Sequence, residues 1–432
     1  MGRRARQGGG RQVVVRIDTI GGRGDGVATL EGRPVFVPAT LPGDRLRVRL
    51  TAEKAGGMRG EPLELLEEGP GRMEPRCRHF GPCGGCQLQH LEETAYRTWK
   101  ADLLTQALDR AGIRADAVSA LQQVPPYSRR RAVLAVRRSG EGVELGFRER
   151  FSHRIVALKE CHVLSPGLFN LCRELKRHLL PFLQQKSVGD LFMSEMENGF
   201  DVVLSGTDLP DLQAREIFAD TDVLPEIKRF SWSPSIGEPV EPVVQRAEPE
   251  VRFGETLVSP PPGAFLQPTA EGEALLCRAV LEGLPRETGP VLDLFSGCGT
   301  FTFPLSRSGP VRAVEGDLAA CKALQNAANR RGLAGRITAE HRDLFRQPLR
   351  PEELDGFDVV VFDPPRSGAR EQAAHLAASS VPRVIGVSCN PSTFARDAAL
   401  LVEGGYRLAS VVPVDQFLWS AHLEVVGVFV RA

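Results

Sequence analysis

The sequence has no apolar run approaching the 18 residues a membrane-spanning helix needs, and its basic, glycine-rich start, MGRRARQGGGRQ, has no apolar stretch behind it. Neither a helical membrane protein nor a secretory leader is expected; a cytoplasmic location is. Net charge is also missing: 54 Lys and Arg balance 54 Asp and Glu, so composition alone does not announce a nucleic-acid binder. The GxGxxG spacing of dinucleotide-binding loops is absent as well, which argues against a nicotinamide enzyme. What remains is 42% apolar and 25% charged residues over 432 positions, too long for one hydrophobic core. Positive charge is unevenly spread, with arginines gathered at 3 to 12, at 129 to 131, and at 137 and 138. Such patches neutralise phosphates locally, although surface arginines also gather without a partner.

Residues 11 to 68 read as about five short strands closing into a small barrel: alternation in VVVRIDTI, turns at Gly21-Gly22 and Gly24, then VATLEG, RPVFVPAT and LRVRLTAEK. Nine cysteines follow. Cys77, Cys83 and Cys86 fall in CRHFGPCGGC, a Pro/Gly-rich segment unsuited to helix or central strand, and Cys161 is the nearest fourth thiol. Four thiolates suit zinc or a [4Fe-4S] cluster, and the spacing does not choose between them. His79 and His90 are alternative zinc ligands, whereas Cys172, Cys277, Cys298 and Cys321 read as packing residues. The middle region alternates like an antiparallel sheet with helices on one side, around residues 91–110 and 167–182; residues 229–249 read as a connector. Tyr127, Arg129 to Arg131 and Phe147 are candidates for contact with bases and phosphates.

From residue 250 onward strands and helices alternate. VLDLFSGCGT is a strand running into a glycine turn, where Gly297 and Gly299 let the backbone approach a ligand. VRAVEGD ends a second strand in Glu315, suited to ribose hydroxyls, and Asp343 follows the third, placed for an adenine amine. DVVVFDPPRSG brings a fourth into Asp363. Strand–glycines, strand–acid, strand–acid, strand–DPP is the order of class I methyltransferases that use S-adenosylmethionine. Cys389, in SCNPSTFARD, lies just after the apolar run Val384–Val387, at a strand end where such folds keep reactive groups.

These motifs carry a resemblance over nearly the whole chain. GDGVATLEGRPVFVPATLPGDRLRVRL resembles a TRAM domain, an RNA-binding barrel. CRHFGPCGGCQLQHL with LGFRERFSHRIVALKEC, then FLQPT, DPPRSG, SCNPSTFARD and HLE, is similar to bacterial RNA 5-methyluridine methyltransferases. The resemblance implies a [4Fe-4S] cluster on Cys77, Cys83, Cys86 and Cys161, and S-adenosylmethionine bound by Gln267, Phe295, Gly297, Gly299, Thr300, Glu315, Asp343 and Asp363. It implies Cys389 as nucleophile and Glu424 as base, with Asp363 orienting cofactor and pyrimidine. Three departures stand out: Thr269 and Ser296 replace a usual asparagine and cysteine, and FLWSAHLE replaces the usual Phe-Pro-x-Thr before His and Glu.

The expected architecture is multidomain α/β. A basic N-terminus (1–10) and a five-stranded, OB-like TRAM barrel (11–68) precede a central α+β iron-sulfur domain (69–92 and 126–262). A Rossmann-like methyltransferase domain (93–125 and 263–432) completes the chain. The expected substrate is a uridine in structured RNA, 23S ribosomal RNA first and transfer RNA second, and the expected state a monomer. A 5-methylcytidine enzyme usually carries a second cysteine after its DPP-like motif, which DPPRSG lacks. An amino-methylating enzyme needs neither Cys389 nor Glu424. A non-catalytic RNA-binding module is the non-enzyme alternative.

Overall fold

Alternation in the first unit becomes a curved sheet around its own core. The computed structural model describes residues 10–54, 56–183 and 188–431; the arginines at 3, 4 and 6 lie outside them. The chain divides into two compact units. One comprises Met1–Asp102, Arg148–Arg154 and Trp419–Ala421, the other Leu103–Phe147, Ile155–Leu418 and His422–Ala432.

In the first unit, six strands rather than five form one sheet, in the order Gln12–Arg16, Arg45–Lys54, Gly57–Glu67, Arg33–Val37, Gly26–Leu30, Thr19–Ile20. The period of two explains its two faces. Val15, Val35, Val37, Leu46 and Val48 point inward and are buried. Arg45, Arg47 and Arg49 point outward, opposite Glu67, Glu64 and Glu61 at 2.7, 3.2 and 3.3 Å. This outer ladder is therefore self-neutralised, so three arginines that look basic in sequence add little net positive charge there. Asp44, fully buried, closes the barrel by accepting from Leu41 N at 2.7 Å and Gly69 N at 2.8 Å and pairing with Arg72.

The cysteine segment of the same unit is built of turns. Phe80 N donates to the Cys77 carbonyl at 3.0 Å, Cys83 N to that of His79 at 2.9 Å, and Cys77 N to Gln89 Oε1 at 3.1 Å. His90 is buried, and desolvation followed by the nearby Arg72 charge pulls its pKa down to about 4, so the ring is neutral. Among the described residues, no group of three or more His, Cys, Asp or Glu side chains comes together to hold a metal ion. The iron-sulfur expectation therefore draws no support from the described residues.

In the second unit a seven-stranded sheet, Ile155–Ala157, Gly142–Arg148, Arg131–Ser139, Val188–Met196, Gly199–Ser205, Ile227–Ser233 and Glu241–Gln245 in that order, packs with the helices Pro166–His178 and Leu212–Ala219 into one core. The expected connector at 229–249 is instead two of these strands. Ile227–Ser233 pairs in parallel with Gly199–Ser205 and is almost wholly buried, so the alternation that reveals a half-exposed strand is absent.

At its heart is a bidentate pair. Arg229 donates to Asp201 at 2.8 and 3.0 Å and to the Pro260 carbonyl at 3.0 Å, while Gly263 N donates to Asp201 at 3.1 Å. Both side chains are at least 95% buried. Asp201→Ala should therefore cost about 3–5 kcal/mol, because it strands a buried guanidinium, and urea unfolding followed by tryptophan fluorescence measures this.

The remaining sheet has the order Ile337–His341, Val311–Glu315, Val291–Leu294, Val359–Phe362, Arg383–Ser388, Glu424–Arg431, Tyr406–Asp415, Ala115–Val118, with Gln122–Gln123 joining Tyr406–Asp415. The first five strands are parallel and Glu424–Arg431 runs antiparallel between its neighbours. This is the Rossmann-like methyltransferase sheet read from the sequence. Its strand order reverses between Val291–Leu294 and Val359–Phe362, where ligands of such sheets bind beyond the carboxyl ends. Among the described residues no helix is long and apolar enough to cross a membrane.

Candidate active site

Five parallel strand ends and one antiparallel strand start line the carboxyl edge of this sheet. Val291–Leu294 is fully buried and runs into Phe295, which has φ 61°, then Gly297 and Gly299 with φ 55° and 103°. Positive φ explains the two glycines. A Cβ on Gly297 would meet nothing within 4 Å, so that stretch of backbone faces open space. Thr300 ends the loop; its carbonyl lies 3.5 Å from Cys277 Sγ.

Glu315 has a second duty the sequence did not reveal. Its Oε2 accepts from Gly297 N at 2.8 Å and its Oε1 from Asp317 N at 2.7 Å. The carboxylate ties the glycine loop to the second strand while retaining lone pairs for hydroxyls. Asp343 accepts from Phe345 N at 3.0 Å and pairs with Arg346 at 3.3 Å. It thereby turns the chain so that Phe345, about half exposed, lies 5.4 Å centroid to centroid from Phe295. Phe345 was not anticipated.

Asp293 was missed as well, because it stands inside an apolar strand. It is fully buried, accepts from Thr302 Oγ1 at 2.5 Å and leaves Oδ1 without a partner. Desolvation, with added repulsion from Asp363 and Glu315, raises its pKa to about 7. At Asp363, desolvation and then the Glu424 charge hold the carboxyl well above the usual carboxylate range. Asp293, Glu315, Asp363 and Glu424 thus crowd four carboxyls at one end of the sheet, where a cationic ligand would favour their ionised forms. That suits a ligand carrying a sulfonium and an ammonium.

Two loops present the thiol. Cys389 follows the buried strand Arg383–Ser388, and Asn390 caps the helix Pro391–Glu403 by accepting from Ser392 N at 3.1 Å. Asn390 Nδ2 and Thr393 Oγ1 both donate to the Arg366 carbonyl at 3.3 Å, Arg396 donates to that of Ser367 at 3.0 Å, and Asp397 accepts from Ala369 N at 2.9 Å. The residues after Cys389 therefore clamp the segment after Asp363, so neither loop moves alone. Burial, then the charges of Glu424 and Asp363, push the Cys389 thiol up to about 12, partly offset by Arg366.

Glu424 and Gln267 are 3% exposed and are joined by Gln416, another residue not anticipated. Gln416 Nε2 donates to Gln267 Oε1 at 2.7 Å and to Glu424 Oε1 at 3.1 Å, and Gln267 Nε2 lies 3.5 Å from Asp363 Oδ2. Thr269 caps the helix Ala270–Glu282 by accepting from Gly272 N at 2.9 Å, and Ser296 is buried with its hydroxyl unpaired. Neither departure disturbs a reactive group.

Residues 335–432 match the family model described as tRNA (Uracil-5-)-methyltransferase, and residues 8–63 match the TRAM domain. An RNA methyltransferase of Rhizobium meliloti is 42% identical over 96% of this chain and 98% of its own. A 23S rRNA (uracil(1939)-C(5))-methyltransferase of Chromohalobacter salexigens is 34% identical over 94% of this chain and 87% of its own. The chain belongs to the TRAM-containing RNA uracil-C5 methyltransferases. This RNA uracil-C5 methyltransferase uses S-adenosylmethionine, and its TRAM domain binds structured RNA. The fold agrees: the tRNA (uracil-54, C5)-methyltransferase of Pyrococcus abyssi superposes with a TM-score of 0.73 at 23% identity, covering 97% of this chain and 100% of that one.

Proposed function

We propose that the enzyme methylates carbon 5 of a uridine through a covalent adduct on Cys389, resolved by Glu424. The observation that supports this reading is strand pairing: Asp363 and Cys389 follow adjacent parallel strands, and Glu424 begins the antiparallel strand paired with the one that leads into Cys389. Bound S-adenosylmethionine supplies an electrophilic methyl group. Carbon 5 of uracil is too weak a nucleophile to take it unaided. Addition of the Cys389 thiolate to carbon 6 makes the ring an enolate whose carbon 5 attacks the methyl, breaking its bond to sulfur and releasing S-adenosylhomocysteine. Glu424 then removes the proton from carbon 5, the carbon 6–sulfur bond breaks, and the thiolate is restored.

In this reading Gln267, Phe295, Gly297, Gly299, Thr300, Glu315, Asp343 and Asp363 hold the cofactor, and Asp363 also orients the pyrimidine. The uridine leaves its stack to reach Cys389, so a loop or bulge is the easiest substrate. At the rim, Arg131 stacks over Phe265, with its guanidinium 4.7 Å from the ring centroid, and Phe265 is 63% exposed. Tyr127, with φ 61°, reaches His162 Nδ1 at 2.5 Å. These side chains and Arg129 are the groups we assign to the RNA near the cleft, whereas Arg130 is taken up by Glu273 at 2.6 Å.

The family description names transfer RNA, which supports a transfer-RNA uridine better than the 23S ribosomal uridine expected from sequence. The ribosomal reading rests on the Chromohalobacter relative. The two separate when each unmodified RNA is offered with 5-fluorouridine in place of uridine. Fluorine cannot leave as a proton, so the true substrate stays attached to Cys389 in a denaturant-stable complex, and Cys389→Ala gives none. Absence of a complex with both RNAs contradicts the covalent route.

The cluster reading of Cys77, Cys83, Cys86 and Cys161 stands on their spacing and the family resemblance alone. Iron and sulfide analysis of anaerobically purified protein is expected to give a full [4Fe-4S] complement that Cys83→Ser loses; a wild-type preparation without iron removes the cluster from the account. The division into barrel, central and methyltransferase domains is retained as part of the same proposal.

A further inference from the structure

The base this reading assigns, Glu424, stands at the first residue of its strand, opposite Val414 and in the same cleft as Asp363, a second, half-buried carboxyl. A carboxylate so placed needs a donor to fix which oxygen faces the substrate. Gln416 supplies one from two residues beyond Val414. Its amide nitrogen has two hydrogens, and both are directed at acceptors, Gln267 Oε1 at 2.7 Å and Glu424 Oε1 at 3.1 Å. The first contact orients Gln267, whose own amide nitrogen then faces Asp363 Oδ2 at 3.5 Å. One amide therefore links the proposed base to the residue that orients cofactor and pyrimidine.

The seat of Gln416 is as specific as its contacts. Its side chain is buried, and Oε1, which accepts no hydrogen bond, packs on Gly272. A Cβ at Gly272 would lie 2.5 Å from that oxygen, 2.7 Å from Gln416 Cβ and 2.6 Å from the capping Thr269 Oγ1. Glycine at 272 thus makes room for the amide, and an amide turned the other way would set its oxygen against two acceptors.

We propose that Gln416 is a positioning residue for Glu424, holding the base in line with the proton on carbon 5 and coupling it through Gln267 to Asp363. The proposal rests on the covalent reading above. It assigns Gln416 to one step, resolution of the adduct, and leaves thiolate addition and methyl transfer to Cys389 and the cofactor.

The test compares wild type, Gln416→Met and Gln416→Leu, with Cys389→Ala and Glu424→Gln as references, on the RNA that wild type methylates. Methionine keeps the length and bulk of glutamine and lacks its hydrogens. Gln416→Met is expected to lower kcat about tenfold, the scale of one lost charge-assisted hydrogen bond, with KM for RNA unmoved and any rise in KM for S-adenosylmethionine, through the loosened Gln267, smaller than the fall in kcat. The diagnostic readout is the fraction of RNA held during turnover as a methylated, denaturant-stable adduct, which should rise severalfold on natural uridine RNA.

Gly272→Ala attacks the same seat from the helix side. It should give the same rise, which keeps the test decisive where a Gln416 variant folds poorly. A wild-type kcat and adduct fraction in both Gln416→Met and Gly272→Ala overturns the proposal, as does a loss confined to KM for S-adenosylmethionine. Turnover by Cys389→Ala instead overturns the covalent reading beneath it.

Discussion

Cys389→Ala is expected to abolish methyl transfer, by roughly four orders of magnitude or more, while S-adenosylmethionine still binds. The size of the effect follows from the chemistry: without addition at carbon 6, no other group in the cleft makes carbon 5 a nucleophile. The structure adds a pH dependence. Burial and two carboxylates raise the thiol to about 12, so at neutral pH the free enzyme holds almost entirely thiol. Formation of the 5-fluorouridine complex should then accelerate with pH, roughly tenfold per unit between about pH 7 and 9. A cationic sulfonium beside Asp363 and Glu424 offsets their charge, so saturating cofactor should shift this profile to lower pH. Single-turnover kinetics with labelled cofactor, at several pH values, checks both statements. A pH-independent rate across that range would show that the thiol is not governed by these carboxylates.

Glu424→Gln should give the second-largest loss and a different phenotype. Its turnover should fall by about 10²–10⁴-fold, the range for a general base, yet thiolate addition and methyl transfer should survive. The enzyme is then caught after methyl transfer, and ordinary uridine RNA should accumulate as a methylated adduct on Cys389 without any fluorine substitution. Denaturing electrophoresis with label in the methyl group detects it. A slow variant with no adduct would move Glu424 from proton removal to an earlier step. Glutamine preserves the shape of a side chain that is 3% exposed and packed beside Gln416, so a folding defect does not explain the loss.

How much of this was legible in the sequence depended on whether a residue's role follows from its own neighbours. Cys389, Asp363 and Glu315 each sit where an apolar run stops, and a strand end is recognisable from one sequence. The glycines of the first loop were legible because a positive φ leaves few other choices. Asp293 was hidden because one acid inside a buried strand looks like an interruption, and only the fold brings Thr302 to it. Gln416 was hidden for another reason. Its partners are 149 and 8 residues away, and the hairpin register between Tyr406–Asp415 and Glu424–Arg431 puts it beside both.

The unusual FLWSAHLE segment becomes intelligible in the same way. Trp419 adopts φ 55°, its amide donates to Tyr96 Oη at 2.8 Å, and its carbonyl accepts from Gln87 N and Leu88 N at 2.6 and 3.0 Å. These tertiary hydrogen bonds fix the backbone at Trp419, and no local pattern shows them. Ile227–Ser233 escaped notice because burial on both faces erases alternation.

This enzyme places a methyl group on carbon 5 of uridine. The most direct measurement is nucleoside mass spectrometry of unmodified transfer RNA and 23S ribosomal RNA after incubation with the protein and isotope-labelled S-adenosylmethionine. The account predicts labelled 5-methyluridine, in transfer RNA first, and none with Cys389→Ala; label found only in cytidine or on an exocyclic amine, or label that persists in the variant, would contradict it.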